Sequence, residues 1–110
     1  MYKRQAFTYP CHFKKPDADM IAFWDGFETP DQSALLHEVH QAGYEVLEHS
    51  PLPQASWLAY HGPIAEKCAA LEPTARPAVK EAIARERAEI AAQQRLGDRT
   101  GYLFVIAKAP

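Results

Sequence analysis

Three features of the chain predict an α/β fold: a closing apolar run, a helix that feeds a strand through one glycine, and alternating strand and helix signals throughout. Gly101-Tyr-Leu-Phe-Val-Ile-Ala107 is almost wholly apolar, the pattern of a strand buried on both faces. Such a strand belongs in the middle of a sheet, yet only two other strands are predicted, one of them short. The chain therefore reads as the ending of a larger mixed sheet.

The elements follow in order. Residues 1–5, Met-Tyr-Lys-Arg-Gln, read as a non-native start. The codons GTG-TAT-AAG-AGA-CAG would encode them with GTG read as a start, a string similar to the end tag of transposon-based sequencing libraries; an ordinary basic N-terminus is the alternative. Such scars stand outside fold reasoning. Ala6 to Tyr9 is expected to be the end of a strand, cut short by Pro10. Cys11 to Glu28 reads as a long loop with one helical turn around Met20, Ile21, Phe23, Trp24 and Phe27. Long connections past a strand's C-terminal end are often functional, because open α/β sheets bind ligands there.

Thr29 is the expected cap of the next helix, with Pro30 first inside it and Gln32 closing a capping box. Leu35, Leu36, Val39 and Ala42 share a helical face, and Gly43 is the stop. Tyr44 to His49 alternates as a strand that Pro51 and Pro53 end. Ala55 to Glu72 reads as two short helices broken at Gly62-Pro63, with Ile64, Cys68 and Leu71 as an apolar stripe. Pro77 opens the longest helix, which runs to Leu96 with Val79, Ile83 and Ile90 inward and a Glu81–Arg85 pair at four-residue spacing. Gly97 caps it, and Asp98 to Gly101 turns the chain into the final strand, which can return antiparallel to the strand before it.

Composition narrows the function classes. The chain has 110 residues, enough for one domain and too few for two. Apolar residues make up 47%, which allows a core. The formal charge of −2 spreads over twelve basic and fourteen acidic side chains, with no basic patch for nucleic acid. No apolar run is long enough for a membrane helix, and no hydrophobic signal core opens the chain, so a cytoplasmic protein is expected. Cys11 and Cys68 are too few for a disulfide framework.

The signatures of chemistry are sparse. Glycines at 26, 43, 62, 97 and 101 are too dispersed for a phosphate-cradling loop. His37 and His40 share a helical face at a spacing that can hold a metal, but no third ligand is placed, and a polar flank is the favoured reading. Cys11-His12 is a weaker hint of the same kind, and no metal is expected. Ser50, Ser56, Cys11 and Cys68 lack a nucleophile motif. Glu45 and Glu48 flank a strand centre and read as an acid–base pair or, preferably, as a solvent-facing residue and a sheet-edge marker. The aromatics stand out more. Tyr9, Trp24, Phe27, Trp57 and Tyr60 lie in or beside the two long connections, where they can line an apolar pocket or simply pack the loops down.

A family resemblance emerges from three stretches: Ala42-Gly-Tyr-Glu-Val-Leu-Glu-His-Ser-Pro-Leu-Pro53, Ser56-Trp-Leu-Ala-Tyr-His-Gly-Pro-Ile64 and Gly97-Asp-Arg-Thr-Gly-Tyr-Leu-Phe-Val-Ile-Ala107. In order and spacing they resemble the C-terminal part of class I S-adenosylmethionine-dependent methyltransferases. Ala22-Phe-Trp24 and the Pro30 region are similar to the loop after that family's fifth strand. The resemblance spans residues 6–110 and implies a C-terminal fragment of a Rossmann-like methyltransferase sheet. Its parts are the end of the fifth strand, a helix, the sixth strand, a helical insertion over about 54–96, and a seventh strand inserted antiparallel between fifth and sixth. It further implies that the S-adenosylmethionine site lies in an absent N-terminal half, so that this fragment alone binds no cofactor and is inactive. Tyr9, Trp24, Trp57 and Tyr60 would face the methyl acceptor, with a small molecule favoured; catalytic residues stay unassigned. The competing expectation is a complete small α/β module that binds a partner through a sheet edge or its aromatic loops.

Overall fold

The computed structural model describes residues 3–110; Met1 and Tyr2, part of the segment 1–5 set apart above, lie outside the described residues. Chain order is β1 (Arg4–His12), α1 (Ala18–Phe23), α2 (Gln32–Gln41), β2 (Glu45–Pro51), α3 (Gln54–Leu71), α4 (Pro77–Leu96) and β3 (Thr100–Lys108). Single 3-10 turns occupy Glu72–Thr74 and Gly97–Arg99. The fold is mixed α/β, and it divides into a sheet unit, up to Leu52 with Asp98–Pro110, and a helical unit, Pro53–Gly97.

In the sheet unit the strand order is β1-β3-β2, and β3 is antiparallel to both neighbours. The apolar closing strand is thus central, as its composition demands. Leu103, Val105 and Ala107 are fully buried on one face, with Cys11 and with Leu35 of α2. Phe7, Phe13, Leu36, Val39, Tyr44 and Val46 complete this core. Tyr102, Phe104 and Ile106, on the opposite face of β3, are half-buried. Fully burying one Leu or Val side chain contributes roughly 1.5–3 kcal/mol, so this single face is the main source of cohesion.

β1 is longer than its sequence suggests. Pro10 lies inside the strand opposite Tyr102, and pairing extends to Arg4 opposite Lys108. The ladder explains the tolerance. Phe13 donates to Arg99 and Ala109 donates to the Lys3 carbonyl, whereas His12 donates away from β3 to the Pro30 carbonyl. Odd-numbered backbone groups therefore face β3, and even-numbered ones face the outer edge. Pro10 is even-numbered, so its missing N–H removes no ladder bond. At the top of that edge His12 forms one parallel bridge with Asp31.

The α2 boundary also differs. Asp31, not Thr29, is the cap; its carboxylate accepts from the Ala34 N–H at 2.7 Å. Thr29 instead meets His12 Nδ1 at 3.1 Å. Gly43 ends the helix as expected, at φ +95°, where an L-residue would be strained. β2 begins at Glu45, runs on through Pro51, and carries an irregularity between Val46 and Glu48 that leaves Leu47 41% exposed.

In the helical unit, α3 is one continuous helix of 18 residues with Pro63 inside it, not two helices. Inside a helix a proline loses its hydrogen bond to the carbonyl four residues back, here Ala59, crowds that carbonyl, and also collides with the N–H and Cβ of the residue before it. Gly62 has no Cβ, which removes the last of these contacts, and the helix continues through Pro63. α4 starts at Pro77 as expected, and Ile83 is buried, but Val79 is 41% exposed because only part of the predicted face turns inward. Gln54 and Gln93 exchange two amide hydrogen bonds, 2.9 and 3.0 Å, joining the two helices. Among the described residues Arg87 pairs with Glu72, and the Glu81–Arg85 pair is not formed.

Candidate functional site

The β1–α2 connection is held to the sheet by polar contacts at several points. Asp17 caps α1 by accepting from the Met20 N–H at 2.9 Å, and Arg99 forms an ion pair with it. That backbone N–H, the largest influence, holds the Asp17 carboxyl below its ordinary range; burial opposes it, and Arg99 adds to the lowering. Trp24 Nε1 donates to Thr100 Oγ1 at 2.9 Å, and Thr100 in turn donates to the Cys11 carbonyl at 2.9 Å. The Trp24 ring also meets Phe23 and Tyr102 edge-on, at 5.0 and 5.5 Å between centroids. An indole fixed at its N–H and on two sides makes a rigid wall.

After α1 the chain reverses through two consecutive left-handed residues, Asp25 at φ +54° and Gly26 at φ +81°. Asp is among the few side chains that enter this region readily. The reversal returns Phe27, whose N–H donates to the Trp24 carbonyl at 3.0 Å. Between α1 and the returning segment lies an open cleft of about 350 Å³. Buried Met20 and half-buried Trp24 line it, with Ile21 and Phe27 at its exposed mouth. Glu28 is its one charged lining residue. Tyr9 lies beside it, 40% exposed, with its ring 6.2 Å from Phe27. The volume is at the lower end for a small-molecule site.

The structure thus gathers two of the four expected site residues, Tyr9 and Trp24, around one cleft. Trp57 and Tyr60 sit on α3 in the helical unit, where both rings flank His61 at 5.6 and 5.2 Å. Sequence reasoning weighed His61, with His49, only as a remote metal ligand and gave it no role; it is 3% exposed, with Nε2 3.5 Å from Glu89 Oε2 and no hydrogen-bond partner among the described residues. Five histidines look alike in the sequence, and only packing singles out the buried one. Glu28 and Thr29 of the cleft were also missed. Their one sequence signal is position next to the apolar group Met20, Ile21, Phe23, Trp24 and Phe27.

His37 and His40 both line a second, shallower cleft with Tyr44 and Glu45. Among the described residues no three metal-ligating side chains come together. No described helix is long and apolar enough to cross a membrane. No protein-family model matches the chain, and no curated protein matches it significantly.

Proposed function

We propose that this chain is the substrate-side, C-terminal part of an S-adenosylmethionine-dependent methyltransferase, inactive alone. One observation carries the reading: the last strand lies antiparallel between the two that precede it in sequence. That order is what the resemblance implies for the end of the methyltransferase sheet. The outer edge of β1 supports it, because exposed Ala6 and Thr8 direct backbone N–H and C=O groups outward, where a further strand would pair.

When bound in the complete protein, the cofactor supplies an electrophilic methyl group. This chain's part is to bind and orient the acceptor, a small molecule, and to exclude water from it. Tyr9 and Trp24 would serve this role at the cleft, and Trp57 and Tyr60 at the helical unit. The decisive experiment reads the DNA upstream of codon six. An open frame encoding a glycine-rich strand–turn–helix is expected; a stop codon directly upstream of a native start at Met1 overturns the reading. S-adenosylmethionine titrated into the 110-residue chain should give no heat, and micromolar binding would refute inactivity of the fragment.

The open β1 edge equally favours a second reading, a complete module that adds a partner's strand there. A defined dimer of the chain alone that pairs two β1 edges would speak for it, and an upstream reading frame that supplies the neighbouring strand would speak for the fragment.

A further inference from the structure

The cleft behind α1 has a chemistry of its own. Its walls are apolar and partly aromatic, and the charged side chain among its described lining residues is acidic. From Pro16 to Asp31 the chain carries Asp17, Asp19, Asp25, Glu28 and Asp31 and no basic residue, although Lys14 and Lys15 immediately precede it. Arg99 neutralises Asp17, which leaves four carboxylates on this connection. Glu28 is the one that lines the cleft. An apolar ligand would find its contacts here and an anion would be repelled. A ligand with an aromatic body and a positive nitrogen meets both conditions.

The geometry of the walls strengthens this. The face of an aromatic ring is negative and attracts a cation, best of all at Trp. Trp24 cannot swing away, because its N–H is tied to Thr100 and its ring makes perpendicular contacts with Phe23 and Tyr102. Phe27 is returned toward it by the Asp25–Gly26 reversal, which keeps a non-glycine residue in the left-handed region. Met20 closes the floor with a polarizable thioether, a good neighbour for a ring. We infer that this cleft takes a one-ring aromatic amine, with its ring against Trp24 and Phe27 and its ammonium group directed to Glu28.

The inference rests on the substrate-side reading above and names the acceptor class, and its test is independent of methyl transfer. Three one-ring probes are titrated calorimetrically into the 110-residue chain at low salt: 2-phenylethylamine, phenylacetate and benzyl alcohol. The amine should bind saturably and about tenfold more tightly than phenylacetate, with the alcohol between. Glu28→Gln should close most of that gap, and Phe27→Ala should weaken the amine several-fold; both side chains are exposed, so neither change threatens folding. Equal affinity for amine and acid, no saturable amine binding, or amine binding unaltered by Phe27→Ala each overturns the assignment. The upstream reading frame is decided separately. An amine-selective cleft with no cofactor-binding half upstream keeps the ligand and removes the methyl transfer. The reverse result keeps the enzyme and removes the ligand class.

Discussion

Cys11 lies fully buried on β1, and that burial, with the negative charge of Asp31 behind it, pushes its thiol from 9.0 up to about 11. The sign of the linkage is fixed by this shift. Above pH 9 an unfolded chain releases the thiol proton while the folded chain keeps it, so the folded state loses stability as pH rises toward 11. Urea midpoints measured across that window should fall, and Cys11→Val, similar in size and without a proton to lose, should flatten part of the decline. An unchanged slope in the variant would show that Cys11 does not set it. The same burial makes Cys11 inert toward iodoacetamide below pH 9, since the thiolate is the nucleophile. Sequence reading had Cys11 only as a weak companion of His12. Nothing local distinguishes a thiol in a sheet core from one in a loop, and the distinction arrives only when Leu103 and Leu35 close over it.

At the scale of elements, periodicity was legible and boundaries were not. Leu35, Leu36 and Val39 declare α2 because a 3.6-residue repeat is written in the sequence itself. Its start is ambiguous, since Thr29 and Asp31 are both good caps and are only two residues apart. What decides is the sheet: His12 draws the Pro30 carbonyl and the Thr29 hydroxyl into its own contacts, leaving Asp31 to turn its carboxylate to Ala34. Asp31→Ala should therefore cost about 1 kcal/mol, read from urea unfolding, and Thr29→Ala should cost clearly less. Equal losses would return the cap to Thr29. Pro63 gives the same lesson from the other side. A proline reads as a break, yet α3 carries on through Pro63, with the Cβ-less Gly62 before it easing one of the contacts that disfavour helix there. At the site, the aromatic residues were visible as a group, but the Asp25–Gly26 reversal that selects Phe27 for the cleft depends on backbone angles that no residue pattern announces.

At the scale of the molecule, the hydrophobic core cluster belongs entirely to the sheet unit: each of its members lies before Leu52 or after Asp98. The helical unit has its own pairing, in the doubled Gln54–Gln93 amide bond. It is also inserted at a point where the sheet needs little chain. β2 and β3 are antiparallel neighbours, with Pro51 opposite Leu103 and the Leu52 N–H donating to the Tyr102 carbonyl at 2.9 Å. Two such strands can be joined by a short hairpin loop, and replacing a long connection with a short one lowers the entropy of closure. Residues 53–97 exchanged for a brief glycine-rich turn should therefore leave a folded three-stranded sheet with α2 upon it. Circular dichroism should show the helical signal reduced while a cooperative melt persists, and Cys11 should stay unreactive to iodoacetamide because Leu103, Val105 and Leu35 still cover it. Should the shortened chain lose its cooperative melt and expose Cys11, the cohesion attributed to the Leu103–Val105–Ala107 face would be insufficient, and the sheet would have to owe its stability to residues 53–97.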